Sequence, residues 1–283
     1  MLEVYFETKE ETMTFCDRIV QYGLDVELNW KTSDKWGNQI KIQENRTADE
    51  QLLNTAKAMA DVFVKHRQNT WILETIKGVY YYKDEEEVQR ILELARCILA
   101  EEDNVEVTIP TEIDLRKTLL DSFQSNIHSG EIVHFDSVVN FRLQTYREEL
   151  IEIIGMAIDE FKREEDYQSF VQSLREYVAK KKSKFQVVHV IQGQHFKFYK
   201  SSGKPFSKME IKMLIQQEPL YIVGLDEAEL NITPLLAMAP EQIIIYGDYP
   251  SEPKTLTVIN VFQEKAVFEP FSRFPFPNYL RNH

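Results

Sequence analysis

Two cysteines, six histidines and nine glycines are all that 283 residues supply of three types on which much site chemistry depends. Cys16 and Cys97 lie far apart and form no CxxC pair. That excludes a disulfide framework or a thiolate zinc site and points to a reducing compartment. The glycines form neither GxGxxG nor a Walker A loop, which excludes the usual dinucleotide and P-loop sites. The histidines are scattered without an HExxH, and His189 and His195 are expected on opposite faces of a hairpin. A hydrogen-bonded structural role is the default for each, and neither a metal nor a cofactor is expected. No apolar run approaches the roughly 18 residues of a membrane-spanning helix. The first residues, MLEVYFETKE, lack a basic-then-apolar leader, so a cytoplasmic protein with no membrane association is expected.

What is present is enough apolar surface for a core: 43% hydrophobic and 12% aromatic residues. The net charge of −13 argues against nucleic-acid binding by the whole surface. It is unevenly spread. Between Tyr177 and Lys212 nine lysines face one glutamate, a local balance of +8 that leaves −21 on the remainder.

The periodicities predict an α+β protein with three parts. Residues 1–45 read as a small βαββ unit, with strands at Leu2–Phe6, Val26–Lys31 and Gln39–Gln43 around a helix from Glu10 to Tyr22. Residues 46–182 read as a central helical bundle opened by the capping-box sequence Thr47-Ala48-Asp49-Glu50. Its first helix is expected to run past Trp71, a second to start at Asp84 and a third at Thr111. The middle is the stretch Asp136–Phe161, whose stripe collects Val139, Leu143, Tyr146, Leu150, Ile153, Ile154, Ala157 and Phe161. Val138 and Phe141 point off the stripe, predicting burial on more than one side. Beyond Phe161 the stripe rotates by about a quarter-turn, at about 100° per residue, which predicts a kink or break near Lys162–Asp166. Residues 183–283 read as a C-terminal α/β unit entered through a basic β-hairpin, Phe185–Ile191 and His195–Tyr199, with a two-residue turn at Gln192-Gly193 that puts Phe196 and Phe198 on a buried face and Lys197 and Tyr199 on the other. Apolar runs at Leu220–Gly224, Gln242–Tyr246 and Ala266–Phe268, with helical segments between them, predict a parallel βαβαβ unit.

NFRLQTYREEL in the central helix, DYQSFVQSLREYV after it and LNITPLLAMAPEQIIIYG near the C-terminus together resemble the YtxC-like sporulation protein family. The resemblance covers the chain from Phe135 onwards and implies a sporulation-associated protein of endospore-forming Firmicutes. It supplies no catalytic residue, cofactor or substrate.

Three places can carry function on the residues alone. Arg142, at the edge of the central stripe, is expected to be buried and paired with a carboxylate. It reads either as an internal salt bridge or as an anion-binding arginine with Arg147 or Tyr146 beside it. The basic segment, with Lys180, Lys182, Lys197 and Tyr199, suits a polyanion if cations and aromatic rings share an exposed face. The alternative is that these lysines pair with the protein's own carboxylates. Asp226 and Asp248 follow the first two C-terminal strands, where open parallel sheets bind ligands, and could hold a divalent ion in a metal-dependent enzyme. Asp is also favoured in loops for backbone reasons. The leading expectation is a non-enzymatic protein that binds another macromolecule, with a protein partner favoured over nucleic acid.

Overall fold

The computed structural model describes residues 2–22, 26–33, 37–44, 47–101, 113–128, 131–219 and 231–279. The fold is α+β, in two compact units, 1–162 and 163–283.

The first unit begins with β1 (Leu2–Phe6), α1 (Lys9–Tyr22), β2 (Val26–Ser33) and β3 (Gly37–Glu44). Helices α2 (Ala48–His66), α3 (Gln68–Gly78), α4 (Glu85–Glu101) and α5 (Leu115–Ser125) come next. A three-residue strand, β4 (Ile132–His134), then leads into α6 (Phe135–Arg142) and α7 (Gln144–Lys180), which continues into the second unit. The sheet order is β2-β3-β1-β4, with β1 antiparallel to β3 and parallel to β4. The alternation of Leu2, Val4 and Phe6 buries one face of β1 against the helices, as a half-covered strand requires. These residues share one hydrophobic cluster with Phe63, Leu119, Phe123 and the central stripe, so the βαββ part packs on the helices of the same unit.

Several helix boundaries differ from the expectation. Thr47 stands at the N-cap of α2 but its side chain makes no capping bond. The helix does not run past Trp71; it breaks at Arg67 and restarts as α3. Asp84 caps α4 by accepting from the backbone N–H groups of Glu86 and Glu87 at 2.9 and 3.1 Å. Thr111 lies outside the described residues, and Asp114 caps α5 through Lys117 N–H at 2.8 Å. Strand β4 was not expected, because three residues carry no readable alternation.

All eight residues of the central stripe are buried, but the stripe belongs to two helices, not one. The break falls at Leu143, whose φ −93°, ψ 31° leaves the helical region. The helix does not break within Lys162–Asp166, where α7 is continuous. The stripe shifts because Tyr146 to Phe161 pack into the first unit's core, whereas Val171, Leu174 and Val178 pack into the second's. Val138 is buried as expected, but Phe141 is 77% exposed. Gly155 lets Tyr80 lie against α7: a Cβ there would meet the Tyr80 hydroxyl at 2.8 Å, and that hydroxyl donates to the Ile151 carbonyl at 2.9 Å.

The second unit comprises β5 (Phe185–Ile191), β6 (Lys197–Lys200), α8 (Lys208–Gln216), α9 (Thr233–Met238), β7 (Pro240–Gly247), α10 (Pro253–Phe262) and β8 (Ala266–Pro270). Its sheet order is β6-β5-β7-β8, with β5, β7 and β8 mutually parallel and only β6 antiparallel. Parallel pairing near Gln242 and Ala266 is therefore present, with α10 as the crossover. The segment expected as a strand near Leu220 lies outside the described residues; β7 is flanked by β5 and β8. The hairpin register also differs. His189 pairs with Tyr199 and Ile191 with Lys197, so the loop has five residues and not two. One face carries Val188, Val190 and Phe198; Tyr199 falls on the other with His189 and Ile191.

Helix α8 opens with a complete capping box, Ser207-Lys208-Met209-Glu210, in which Lys200 also donates to Glu210 at 2.5 Å. The Lys200 ammonium, followed by the Ser207 backbone and hydroxyl, draws the Glu210 carboxyl down to about 2. A lowered carboxyl pKa stabilises the fold above the ordinary value of about 4.3 and loses that contribution as pH falls towards 2. Carboxyl NMR should therefore show Glu210 titrating about two units below ordinary glutamates. The Lys200→Met variant should move it upward, and an ordinary midpoint in the intact protein would contradict the cap.

Candidate functional site

Arg142 is exposed and makes no ion pair or hydrogen bond among the described residues. The expected burial is corrected. Arg142 is the last residue of α6, and the break at Leu143 resets the helical phase on which its edge position depended.

The arginine that does pair inside this unit is Arg67, at the α2–α3 break. Its Nε donates to Glu11 Oε1 at 2.5 Å and a terminal nitrogen donates to Asp136 Oδ1 at 2.8 Å. Glu11 is 2% exposed and is also held by the Thr8 hydroxyl at 2.8 Å, while Thr8 accepts from Glu11 N–H at 3.2 Å. Burial, and then the Glu7 carboxylate, pushes the Asp136 carboxyl upward against the opposing pull of Arg67. One guanidinium thus ties the start of α1, the α2–α3 joint and the start of α6. The Thr8-Lys9-Glu10-Glu11 pattern is a capping-box signal for Glu11, but nothing local marks Arg67 as its partner.

Tyr146 is buried, and its hydroxyl accepts from Gln68 Nε2 at 2.9 Å. Its ring meets Phe63 edge-on at 5.2 Å, and Phe63 meets Trp71 edge-on at 5.0 Å. Arg147 is exposed and lies 5.3 Å over the Trp71 ring, a cation–π contact at the rim of a polar cleft shared with His66, Glu74 and Asn140. Tyr146 therefore supports the core, and Arg147 faces solvent. Arg142 lines a different groove.

That groove, about 440 Å³, runs along β4 and α6. Ile132 and Phe141 line it at 58% and 77% exposure, with Arg142 beside them. Strand β4 pairs with β1 on one side, and among the described residues no strand covers the other. His134 stacks on Tyr5 at 4.9 Å and anchors the strand.

In the second unit the basic segment is partly committed. Glu218 accepts from both Lys181 and Lys184, and Lys200 is bound to Glu210. These partners come from the segment and its immediate continuation. Lys180, Lys182 and Lys197 are exposed. Phe196 and Phe198 are buried as expected, but Tyr199 is only 2% exposed and packs edge-on against Phe274 at 5.1 Å. Phe274 covers the face of β6 at Tyr199, so its ring is not offered beside Lys197 for base stacking. His189 is likewise buried, bonded to the Tyr246 hydroxyl at 3.0 Å, and burial lowers its pKa. Asp248 is exposed in a cleft at the carboxyl ends of β5 and β7; Asp226 lies outside the described residues. Among the described residues no three His, Cys, Asp or Glu side chains group to suit a metal ion. No described helix is long and apolar enough to cross a membrane.

The model of the YtxC-like family matches residues 53–267, from within α2 to β8. The chain belongs to that family. It is also 28% identical over 277 residues to a protein of Bacillus subtilis (strain 168) described as uncharacterized protein YtxC, covering 97% of this chain and 96% of the relative. No solved structure matches. The region matched to the YtxC-like family contains the β4 groove, nearly all of the cleft around Asp248, and the Arg147 cleft apart from Thr8, Glu10 and Glu11. The similarity to the Bacillus subtilis protein extends over the N-terminal βαββ part as well.

Proposed function

We propose that this chain is a cytoplasmic, sporulation-associated protein that acts by binding another protein, with the β4–α6 groove as its contact surface. The observation that carries this reading is that Phe141, 77% exposed, and Ile132, 58% exposed, line one groove beside a sheet edge that no strand covers among the described residues. Isolated exposed apolar residues are ordinary, but an aromatic beside a strand edge and an arginine that are both without a partner among the described residues is a recognition pattern. The edge offers backbone groups to an extended segment. Phe141 and Ile132 suit its apolar side chains, and Arg142 suits a carboxylate. The sporulation link is supported by the family resemblance, and the reducing compartment by the free Cys16 and Cys97.

Crosslinking in sporulating cells, followed by affinity capture, tests the reading when wild type is compared with Phe141→Asp and Arg142→Glu. Both positions are exposed, so the fold should be retained by circular dichroism. At least one crosslinked protein should fall about tenfold or more in both variants, and heat-resistant spore counts should drop in step. An identical set of captured proteins from all three chains would sink the proposal.

A further inference from the structure

The cleft at the carboxyl edge of the second sheet is independent of the β4 groove and of the reading built on it. Strands β5 and β7 lie side by side and parallel, and their chains leave in different directions. One turns back as the hairpin strand β6, and the other crosses through α10 to β8. A crevice beyond strand carboxyl ends, where connections diverge, is the place where open parallel sheets hold ligands. Here the crevice is a cavity of about 870 Å³, bounded by the loops after β5, β7 and β8.

Its walls are fixed before any ligand arrives. The Gln192 side chain reaches across from the β5 loop and brackets Tyr249: Oε1 accepts from Tyr249 N–H at 3.0 Å, and Nε2 donates to the Tyr249 carbonyl at 2.7 Å. The same Nε2 donates to the buried Thr255 hydroxyl at 2.8 Å. Gly247 permits this approach, since a Cβ there would stand 2.2 Å from Gln192 Oε1. The bracketed backbone holds the Tyr249 ring outward at 73% exposure, while Phe271 from the end of β8 contributes a second ring at 40%.

The charge of the lining selects the ligand. Asp248 and Glu252 supply two carboxylates, and among the described residues none that lines the cleft is basic. Lys254 lies close by but is engaged, donating to the Gln194 carbonyl at 2.9 Å and lying 3.8 Å from Glu252. Phosphate or any other anion would meet two carboxylates with no basic side chain among the described lining residues to offset them. Exposed aromatic faces beside carboxylates favour an organic cation, through cation–π attraction and charge-assisted hydrogen bonds together. We infer that this cleft binds an alkylammonium or guanidinium group, held against Tyr249 and Phe271 with Asp248 as its counter-charge.

The group could belong to a free amine or to a basic side chain of a polypeptide, and calorimetric titration of the full chain separates the two. Agmatine serves as the free amine, N-acetyl-arginine amide as the peptide side chain, and N-acetyl-citrulline amide as the neutral isostere. Saturable binding of at least one cationic probe is expected, with the citrulline compound at least tenfold weaker than its arginine counterpart. Tighter agmatine binding identifies a free amine; tighter arginine amide binding identifies a polypeptide. Asp248→Asn and Tyr249→Ala, both at exposed positions, should each weaken the preferred probe about tenfold while the melting temperature stays unchanged. Absence of saturable binding by either cation, equal binding of citrulline and arginine amides, or affinity untouched by both substitutions would each overturn the assignment.

Discussion

Replacing Arg67 with alanine is expected to destabilise the first unit by about 3–5 kcal/mol, the range for stranding a buried charge. Arg67 is itself about one-third exposed, at 32%, so its own desolvation matters less than what it leaves behind. Glu11 is 2% exposed and Asp136 18% exposed, and they face the same guanidinium from different helices. Without it, two half-buried or buried carboxylates remain close together with no cation between them. Chemical denaturation followed by the fluorescence of Trp71, four residues along in α3, measures the loss directly. Two companion variants identify its cause. Arg67→Lys keeps the charge but loses the fork that reaches both carboxylates, and should recover only part of the stability. Glu11→Gln placed on top of Arg67→Ala should also recover part, because the stranded charge is then gone. If Arg67→Ala costs less than about 1 kcal/mol, the cluster is no more than a surface ion pair.

The contrast between Arg142 and Arg67 shows how far the sequence could be read. Helical phase was legible wherever apolar residues repeat, and Leu115, Leu119 and Phe123 or Val88, Ile91 and Ala95 are buried as their spacing predicts. Phase is silent about interruptions that leave the stripe intact. The breaks at Arg67 and Leu143 contain neither proline nor glycine, and the stripe on each side continues as if nothing had happened. Arg142 was therefore placed by a helix that stops at its own position. Arg67 has its partners 56 and 69 residues away, and a pairing at that distance has no local pattern.

The two ends of the second sheet divide in the same way. Parallel pairing of β7 with β8 was legible because apolar runs flank a helical segment of the right length. The hairpin register was not, since a two-residue and a five-residue loop are both compatible with Gln192-Gly193 and differ by which β5 residues share a face with Tyr199. Tyr199 keeps Lys197 on its face in either register, and its ring is buried because Phe274 covers that face. In the longer loop Gln192 braces Tyr249. Asp248 was correctly placed beyond a strand carboxyl end, while the aromatic rings that define its surroundings came from loops with no motif of their own.

Truncating Phe63 to alanine should be comparably severe, at about 3–5 kcal/mol. Phe63 is fully buried and sits edge-on to both Trp71 and Tyr146, the ring geometry in which each edge meets a neighbouring face. Removing it opens a void beneath Trp71, and the loss combines transfer free energy with a cavity that a rigid helical pair closes only partly. Trp71 also carries Arg147 on its face, so the consequence reaches the rim of the polar cleft. Trp71 emission should shift to the red and become more accessible to a neutral quencher. Phe63→Leu retains most of the volume and should cost less, about 1–1.5 kcal/mol. Tyr146→Phe provides the control for the polar part of the cluster. It removes the hydroxyl and its bond from Gln68, whose net worth is about 1 kcal/mol, and leaves every ring in place. If Tyr146→Phe proves as damaging as Phe63→Ala, the hydrogen bond and not the ring packing holds α2, α3 and α7 together. If Phe63→Ala alone is severe, the apolar stripe sets the position of the cleft, and Arg147 depends on a core that never touches solvent.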